Sequence, residues 1–586
     1  MAETMPATPE AYQKAGNGRQ HERDDKPDRG IMHNSYNANM QQLSANRYRS
    51  FALVLALCTG LGLAMAGTAT ALPGGGHLYS AAPRAQISPS SPPVFKPQAA
   101  KIPAWIRRIQ AVLRLPNQAR AFWGIYIYSL DHHRILFQHN GYRLFVPASN
   151  TKLFTISAAL CRLGPNYRFH TQVRAFAAPD AQGRVVGDVV LVGEGDPTLS
   201  GRLYPYPNPH LHLKPNPPDQ AMAALAEQIA AGGVKSITGD IVGDDTYFRY
   251  QPYPEGWAQD DLMWGYGAAI SALTVNDNQY WVHIRPGASV GALASISIRP
   301  WVGAFRVDNE LLTTAAGGPR VIEIDRRVDS NTIHFWGTLP LGSNGDRETL
   351  SVGDPALFAA RLLKRDLERQ GIVVYGKARA RHCLPFPQQP GLTAPVCTPT
   401  AALIELAELT SPPLSEDLQW ILKVSQNLHA ELMLRLLGKT EGGDGSIKSG
   451  LLARQAFLAQ VGIKPHDVFF RDGSGLSRET LVQPRAIVRL LRYMARQPAP
   501  IAADFRSYLP IAGVDGTLDN RFLNTPAAGD LLGKTGFVEH DRALSGYAVT
   551  QGGDHLAYSI IVNNDNMKGP QMRSAIDRIA LAMIQH

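Results

Sequence analysis

Ser149 and Lys152 stand three positions apart in the stretch Pro147-Ala-Ser-Asn-Thr-Lys152, and their types suit covalent catalysis. Residues at this spacing share one face of a helix, a single turn apart. A buried lysine amine loses its proton more readily and can then accept the hydroxyl proton of Ser149, which makes the serine a nucleophile. A helix start also offers N–H groups to a developing oxyanion. Because Ser-x-x-Lys also arises by chance, other motifs must decide its meaning.

A helix is predicted to position this pair, because apolar residues follow Ser149 at helical spacing. They are Leu153, Ile156, Ala159 and Leu160. Pro147 suits an extended approach to the helix or its first turn. Upstream, residues 122–129 and 134–138 are typical of two strands of a β-hairpin, which would lead into this helix.

A second candidate motif is Ser425-Gln426-Asn427, which lies between two stretches of helical periodicity, 414–424 and 428–437. Serine and asparagine disfavour helix interiors because their side chains compete for backbone hydrogen bonds. A short link between two helices can direct Ser425 and Asn427 into one cleft. The alternative is a simple capping link without chemistry, and the motif alone does not separate the two.

The third motif is Lys534-Thr535-Gly536, which falls on a predicted strand followed by two more strands, 544–550 and 556–562, and a helix over 569–584. A glycine at 536 would let a ligand backbone approach that strand closely. A phosphate-binding loop is excluded, because Ala528 stands where the first glycine of that motif is required.

Composition excludes several classes of protein. The 586 residues are 44% hydrophobic and 18% charged, as in a globular protein with two or more domains. The net charge of +9 is scattered and is not grouped with aromatic residues, and zinc-finger spacing is absent, so no nucleic-acid partner is expected. The chain contains no motif such as His-Glu-x-x-His, so we expect no metal site.

Cys383 and Cys397 flank a proline-rich loop, Leu-Pro-Phe-Pro-Gln-Gln-Pro-Gly. In an oxidising compartment the two residues can close a small disulfide loop. Two free thiols are an equally good interpretation of the sequence.

Changes in composition along the chain predict its domain organisation. A polar, aromatic-poor N-terminal region is followed by an apolar leader, which is either cleaved or retained as a signal anchor, and then by a Pro/Ser/Ala-rich linker. A mainly β region, expected to form two subdomains, interrupts the catalytic domain. The predicted segments are the N-region 1–49, the signal peptide 50–71, the linker 72–103, the first catalytic part 104–175, the insert 176–400 and the second catalytic part 401–586.

In their order and on these elements, the three motifs resemble those of the D-alanyl-D-alanine carboxypeptidase/endopeptidase family, the class C low-molecular-mass penicillin-binding proteins. The long insert between the first two motifs is similar too. Further runs typical of the family are Gly195-Asp-Pro-Thr-Leu199, Gly239-Asp-Ile-Val-Gly-Asp-Asp-Thr-Tyr-Phe248, Asp472-Gly-Ser-Gly-Leu-Ser-Arg478 and Leu509-Pro-Ile-Ala-Gly-Val-Asp-Gly-Thr-Leu518. The resemblance implies an α/β (α+β) fold, the penicillin-binding/serine β-lactamase-like antiparallel sheet flanked by helices.

The resemblance also implies catalytic roles. Ser149 would attack the carbonyl between two D-residues of a peptidoglycan stem peptide, with Lys152 as general base. Ser425 would relay a proton between the two lysines and the leaving amine. Asn427 would orient Lys152 and bind the substrate amide, and Lys534 would supply positive potential. The family needs neither a cofactor nor a metal.

Substrate contacts are implied in the same way. Thr535, with Lys534, would hold the substrate carboxylate on the strand that Gly536 keeps approachable, and the N–H groups of Ser149 and Phe537 would form the oxyanion hole. Phe537 replaces a hydroxyl residue common in the family, so we expect it to disfavour carboxypeptidase relative to endopeptidase activity. Three further candidates for substrate contact are Arg478, Asp245 and Phe248.

The sequence therefore predicts a secreted, periplasmic or cell-envelope-associated serine DD-peptidase that acts on peptidoglycan stem peptides and cross-links. β-Lactam antibiotics would inhibit it covalently. One alternative is a β-lactamase, whose three motifs stand much closer together. The other is a catalytically silent peptidoglycan-binding protein that has kept the fold.

Overall fold

The computed structural model describes residues 102–211, 213–327, 330–385, 397, 404–567 and 569–586. The predicted N-region 1–49, the leader 50–71 and all but the last two residues of the predicted linker 72–103 lie outside the described residues. So does most of the proline-rich loop between Cys383 and Cys397.

The described helices and strands are numbered in chain order. The helices are α1 (Ala104–Leu113), α2 (Thr151–Leu163), α3 (Gln220–Ala231), α4 (Pro355–Arg369), α5 (Leu414–Val424), α6 (Asn427–Thr440), α7 (Ile447–Val461), α8 (Pro484–Met494), α9 (Ala499–Tyr508) and α10 (Gly569–Ile584). The strands are β1 (Phe122–Ser129), β2 (Arg134–His139), β3 (His170–Ala175), β4 (Arg184–Val185), β5 (Val189–Val192), β6 (Ser236–Ile237), β7 (Ile241–Arg249), β8 (Gln279–Arg285), β9 (Ser295–Arg299), β10 (Arg306–Thr314), β11 (Val321–Asp325), β12 (Thr332–Pro340), β13 (Asp346–Ser351), β14 (Val373–Val374), β15 (Ala378–Cys383), β16 (Ile404–Thr410), β17 (Val468–Phe469), β18 (Leu481–Val482), β19 (Leu531–Val538), β20 (Asp541–Val549) and β21 (His555–Asn563).

A five-stranded antiparallel sheet with the order β19-β20-β21-β1-β2 unites the two ends of the described chain. Strand β1 pairs with β21, and Ile125 lies opposite Ile560. Both strands are buried almost throughout, because helices cover both faces of the sheet. This burial explains why their sequences are continuously apolar and do not alternate between apolar and polar residues.

The two faces of the sheet carry different helical layers. Tyr126 and Tyr128 of β1 point to a large core that α2 and α5–α9 complete. Ile125 and Ile127 point to the opposite face, where α1 and α10 pack. The predicted antiparallel sheet flanked by helices is therefore confirmed.

The predicted insert leaves and rejoins the rest of the chain through neighbouring strands, since β3 and β16 pair antiparallel with Ala175 opposite Ile404. Both strands belong to the insert's own sheet, in the order β15-β7-β5-β3-β16. The insert sheet thus includes residues 170–175 and 404–410, which lie outside the predicted range 176–400. Half-buried alternating strands at a domain edge carry no composition change that would reveal this.

The insert also contains the three-stranded sheets β10-β12-β11, β13-β8-β9 and β14-β6-β4. Side chains from the large sheet, from all three smaller sheets and from α3 and α4 join one apolar core, which includes Leu191, Val282, Leu311 and Leu363. At the end of β15, Cys383 is disulfide-bonded to Cys397, with a Cα–Cα distance of 5.6 Å. Of the helices described, none has the length and hydropathy that crossing a bilayer requires.

Candidate active site

Ser149 lies in a 3₁₀ turn, Ala148–Asn150, that leads directly into α2. Ala148 has a left-handed backbone with φ of +47°, which L side chains rarely adopt, so the turn must be held by its surroundings. Asn150 provides one restraint, because its Nδ2 donates a hydrogen bond to the carbonyl oxygen of Lys534 at 2.9 Å. The serine turn is thereby attached to β19, which carries the third motif.

Lys152 points its amine into the protein interior, where its three hydrogen-bond partners are Ser149 Oγ at 3.0 Å, Asn427 Oδ1 at 2.6 Å and the carbonyl oxygen of Ser474 at 2.9 Å. The oxygens of Asn427 and Ser474 can only accept hydrogen bonds. A neutral amine has two N–H groups and one lone pair, so these two oxygens take both N–H bonds. The lone pair is then left for the hydroxyl proton of Ser149.

The protonation of Lys152 is set mainly by its burial. Removal from water disfavours the ammonium and lowers the pKa of Lys152 to about 7, although the negative charges of Asp472 and Glu431 oppose this change. An amine with this pKa is substantially neutral near pH 7 and can accept a proton there, which suits it for general base catalysis.

Ser425 and Asn427 are aimed by the break between α5 and α6. Ser425 ends α5 in a left-handed conformation with φ of +64°, and Asn427 is the first residue of α6. While Asn427 Oδ1 accepts from Lys152, its Nδ2 donates to the carbonyl oxygen of Tyr266 at 2.9 Å. The Ser-x-Asn link therefore lies in the same cleft as the serine turn.

The amine of Lys534 is also fully buried. It donates to Ser425 Oγ at 2.9 Å and to the carbonyl oxygen of Thr535 at 2.7 Å. Burial, followed by the charge of Lys152, holds the pKa of Lys534 well below its usual range. The hydroxyl of Thr535 donates to Thr517 Oγ1 at 2.8 Å, in the run 509–518.

Gly536 lies directly against the serine turn. A Cβ at this position would lie 2.7 Å from the carbonyl oxygen of Pro147 and 3.2 Å from the Cβ of Ala148. The missing side chain thus lets β19 pack against the serine turn itself. This contact brings the backbone after Gly536 beside Ser149.

A loop over 472–477 completes the surroundings of Lys152, and its role was missed in the sequence. The carboxylate of Glu431 accepts hydrogen bonds from the N–H groups of Gly473 and Ser474, which orients the carbonyl oxygen that Lys152 contacts. Asp472 accepts from the N–H groups of Gly475 and Ser477. The available signal was the run of glycine and serine after Asp472, but backbone acceptors leave no side-chain pattern to recognise.

Two further residues predicted to contact the substrate, Phe537 and Arg478, have partly exposed side chains. Phe537 is half exposed on β19, and the guanidinium of Arg542 lies 3.9 Å from its ring centre. Arg478 follows the 472–477 loop, and its side chain is partly exposed and 4.0 Å from Glu539. Both remain candidates for substrate contact.

Asp245 and Phe248 lie in the interior of the protein. Asp245 accepts a hydrogen bond from Ser271 and is paired with His382 at 2.9 Å. Phe248 is 3% exposed and packs in the core beside α2. Their contacts with buried protein groups do not support the predicted role in substrate binding.

One cluster of potential metal ligands occurs in the described part of the chain. Asp308 and Glu310 on β10 and His334 on β12 have ligand atoms within 4.8 Å of one another. These residues belong to the insert, and their ligand atoms are not among the contacts of Ser149 or Lys152.

Comparison with known proteins identifies relatives along most of the chain. The model of the D-Ala-D-Ala carboxypeptidase 3 (S13) family matches residues 106–583. The D-alanyl-D-alanine carboxypeptidase of Actinomadura sp. (strain R39) is 33% identical over 508 residues, which cover 85% of this chain and 87% of the relative. D-alanyl-D-alanine carboxypeptidase DacB of Haemophilus influenzae is 25% identical over 445 residues, 75% of this chain and 85% of the relative. The crystal structure of penicillin binding protein 4 from H. influenzae has the same fold, with a TM-score of 0.67 and 23% identity over 81% of this chain and 98% of that chain.

The contact between β19 and the serine turn can be tested by adding one methyl group. We expect Gly536→Ala to lower the melting temperature by at least ~2 °C, because the new Cβ overlaps the Pro147 carbonyl oxygen and packing must shift. The matched control is Gly353→Ala, where a Cβ meets no atom within 4 Å. Equal melting temperatures for the two variants by differential scanning calorimetry would contradict the contact.

Proposed function

The chain belongs to the D-Ala-D-Ala carboxypeptidase 3 (S13) family, which makes it a serine-type DD-peptidase, and we propose that it acts through an acyl-enzyme on Ser149. The substrates are peptidoglycan stem peptides and their cross-links, and the bond cleaved joins two D-residues. The observation that carries the proposal is the 3.0 Å contact between Ser149 Oγ and the buried amine of Lys152.

Acylation begins when neutral Lys152 takes the hydroxyl proton of Ser149 and Oγ attacks the substrate carbonyl carbon. As the tetrahedral intermediate collapses, the C–N bond breaks and the leaving amine needs a proton. Ser425 relays to it the proton that Lys152 took from Ser149, giving up its own hydroxyl proton and recovering one from Lys152, since the Ser425 hydroxyl contacts Lys534 and both groups line the cleft next to Lys152. Water then attacks the ester carbonyl, releases the shortened peptide and restores the Ser149 hydroxyl.

The oxyanion is stabilised by the N–H groups of Ser149 and Phe537. Packing of Gly536 against Pro147 supports this role, because it holds the serine turn and the end of β19 side by side. Loss of one such donor typically lowers the rate about 100- to 1,000-fold.

Lys534 and Thr535 bind the substrate carboxylate on β19. An anion placed beside Lys534 favours its ammonium form, and that positive charge in turn disfavours a proton on Lys152. Substrate binding thereby promotes the protonation states that acylation needs, with Lys534 charged and Lys152 neutral.

The two alternative functions have weaker support. A β-lactamase would share the first step, but the family match spans the insert as well as the three motifs. A catalytically silent peptidoglycan-binding protein would not need a buried Lys152 whose amine contacts the hydroxyl of Ser149. Turnover of a chromogenic cephalosporin and activity on purified sacculi separate the three functions.

We place the enzyme outside the cytoplasm, in the cell envelope. The Cys383–Cys397 disulfide supports this location, because disulfides persist in oxidising compartments. The leader predicted over 50–71 is consistent with export. Two relatives are named D-alanyl-D-alanine carboxypeptidases, and the peptidoglycan substrate that we propose lies outside the cytoplasm.

Benzylpenicillin should acylate Ser149. A crystal structure of penicillin binding protein 4 from H. influenzae, which has the same fold, contains a bound β-lactam. Intact-mass analysis with peptide mapping should place the adduct on Ser149 and show none in Ser149→Ala. Ser157→Ala, which alters another buried serine of α2, should keep the adduct. An adduct that persists in Ser149→Ala, or rapid drug hydrolysis without an adduct, would refute the proposed enzyme.

Replacing Phe537 with threonine should raise carboxypeptidase activity relative to endopeptidase activity. A hydroxyl there can donate to the terminal carboxylate, and a hydrogen bond to a charged group contributes about 1.5 kcal/mol, or about 10-fold in kcat/KM. The measurement compares a D-Ala-D-Ala peptide with a cross-linked dimer for wild type and Phe537→Thr.

Phe469→Thr is the matched control, because Phe469 is also a half-exposed strand residue with an arginine, Arg471, over its ring. It should leave the activity ratio unchanged. Wild-type carboxypeptidase turnover equal to or above that of Phe537→Thr would show that Phe537 does not limit this activity.

A further inference from the structure

A turn of the insert faces the Ser-x-Asn link of the catalytic domain. Its three residues, Asn276, Asp277 and Asn278, all have left-handed backbones with φ of 50°, 53° and 51°. Such a run is unfavourable for residues with a Cβ and persists only when the surroundings enforce it. Asn278 Nδ2 donates to the carbonyl oxygen of Ala269 at 2.9 Å, and Asn276 Nδ2 donates to that of Gln279 at 2.7 Å. The turn is therefore built to present Asp277.

The carboxylate of Asp277 is 3% exposed and receives hydrogen bonds from three side chains. Gln426 Nε2 donates at 3.1 Å, His429 Nε2 lies at 3.1 Å, and the guanidinium of Arg202 forms an ion pair with it. Burial opposes ionisation of Asp277, but the positive charges of Arg202 and His429 outweigh it and hold the pKa of Asp277 below its usual range. A charged insert carboxylate thus contacts the middle residue of the catalytic link.

Gln426 uses both ends of its side chain. Its Oε1 accepts from the N–H of Leu428 at 2.7 Å and caps the start of α6, while its Nε2 reaches Asp277. The residues on either side of it are Ser425 and Asn427. A side chain restrained at both ends restrains the backbone that aims these two neighbours.

His429 strengthens the same connection one turn further along α6. Its Nδ1 lies 2.7 Å from Asp417 of α5, and its Nε2 contacts Asp277. The two carboxylates overcome burial and raise the pKa of His429 to about 9. The imidazolium therefore joins α5, α6 and the insert turn in one buried cluster.

We propose that Asp277 is a positioning residue for acylation, through which the insert aligns the Ser425–Asn427 link with the two buried lysines. The proposal rests on the proposed function of that site. Ser425 and Asn427 stand at a helix break, where no regular hydrogen-bond ladder fixes them, and errors of about 1 Å in catalytic groups cost about 100-fold in rate. The Asp277–Gln426 hydrogen bond supplies the missing restraint.

The test exchanges donor and acceptor across this hydrogen bond. Gln426→Glu keeps the helix cap but puts a second carboxylate against Asp277, so it should lower the rate constant for benzylpenicillin acylation about 10- to 100-fold with little change in the noncovalent dissociation constant. Asp277→Asn alone should also lower the rate constant. The double variant Gln426→Glu/Asp277→Asn should recover most of the wild-type rate, because the asparagine amide can donate to the new carboxylate.

Tyr204→Phe is the matched control. It removes a hydrogen bond to Asp417 at 3.3 Å, at the margin of the same buried region, without touching Gln426, and should acylate at the wild-type rate. Gln426→Met, which introduces no charge, should acylate more slowly while retaining a cooperative thermal transition, so a folding failure of Gln426→Glu leaves the test intact.

Wild-type acylation by Gln426→Met, or a double variant no faster than Gln426→Glu, would overturn the positioning role. An equal loss in Tyr204→Phe would do the same, since it would mark a general packing effect. Failure of the proposed function is distinguishable, because wild-type protein would then form no adduct on Ser149 at all.

Discussion

The site depends on the burial of two lysine amines in one cleft. Neither Lys152 nor Lys534 has a carboxylate among its hydrogen-bond partners on the described residues; the acceptors are hydroxyl, amide and peptide carbonyl oxygens. Neutral acceptors satisfy the N–H groups without compensating a full charge, so burial favours the unprotonated amine. A carboxylate in direct contact with Lys152 would stabilise the ammonium and remove the base.

Such an arrangement requires four separate segments to converge. The serine turn supplies Ser149, the helix break supplies Ser425 and Asn427, the 472–477 loop supplies the carbonyl of Ser474, and β19 supplies Lys534. The central sheet holds the first and last of these together across most of the chain length, because β1 pairs with β21. The insert departs and returns through adjacent strands, so a large excursion leaves the sheet intact.

The resemblance of the three motifs to those of the family predicted that the five proposed catalytic side chains converge, and apolar periodicity predicted elements such as α5, α10 and the strand carrying Lys534. The features of the site that the sequence did not predict are contacts made by backbone atoms or between residues distant in sequence. The Ser474 acceptor is a peptide oxygen, and the neighbour of Gly536 is another backbone segment. The hydrogen bond between Gln426 and Asp277 joins residues that are distant in sequence, so no local pattern predicts it. Asp245 and Phe248 lie in a run that resembles the family, but both are buried against protein groups, Asp245 beside His382 and Phe248 in the core beside α2.

The pH dependence of Ser149 acylation by benzylpenicillin tests the role of buried, neutral Lys152 most directly. Below its pKa of about 7 Lys152 carries a proton and cannot accept another, and above it the amine is free. The rate constant measured by stopped flow should therefore rise about 10-fold per pH unit well below 7 and level off above it. Circular dichroism would confirm a folded protein over the same range. A rate constant that stays constant, or that falls as pH rises through 7, would contradict general base catalysis by Lys152.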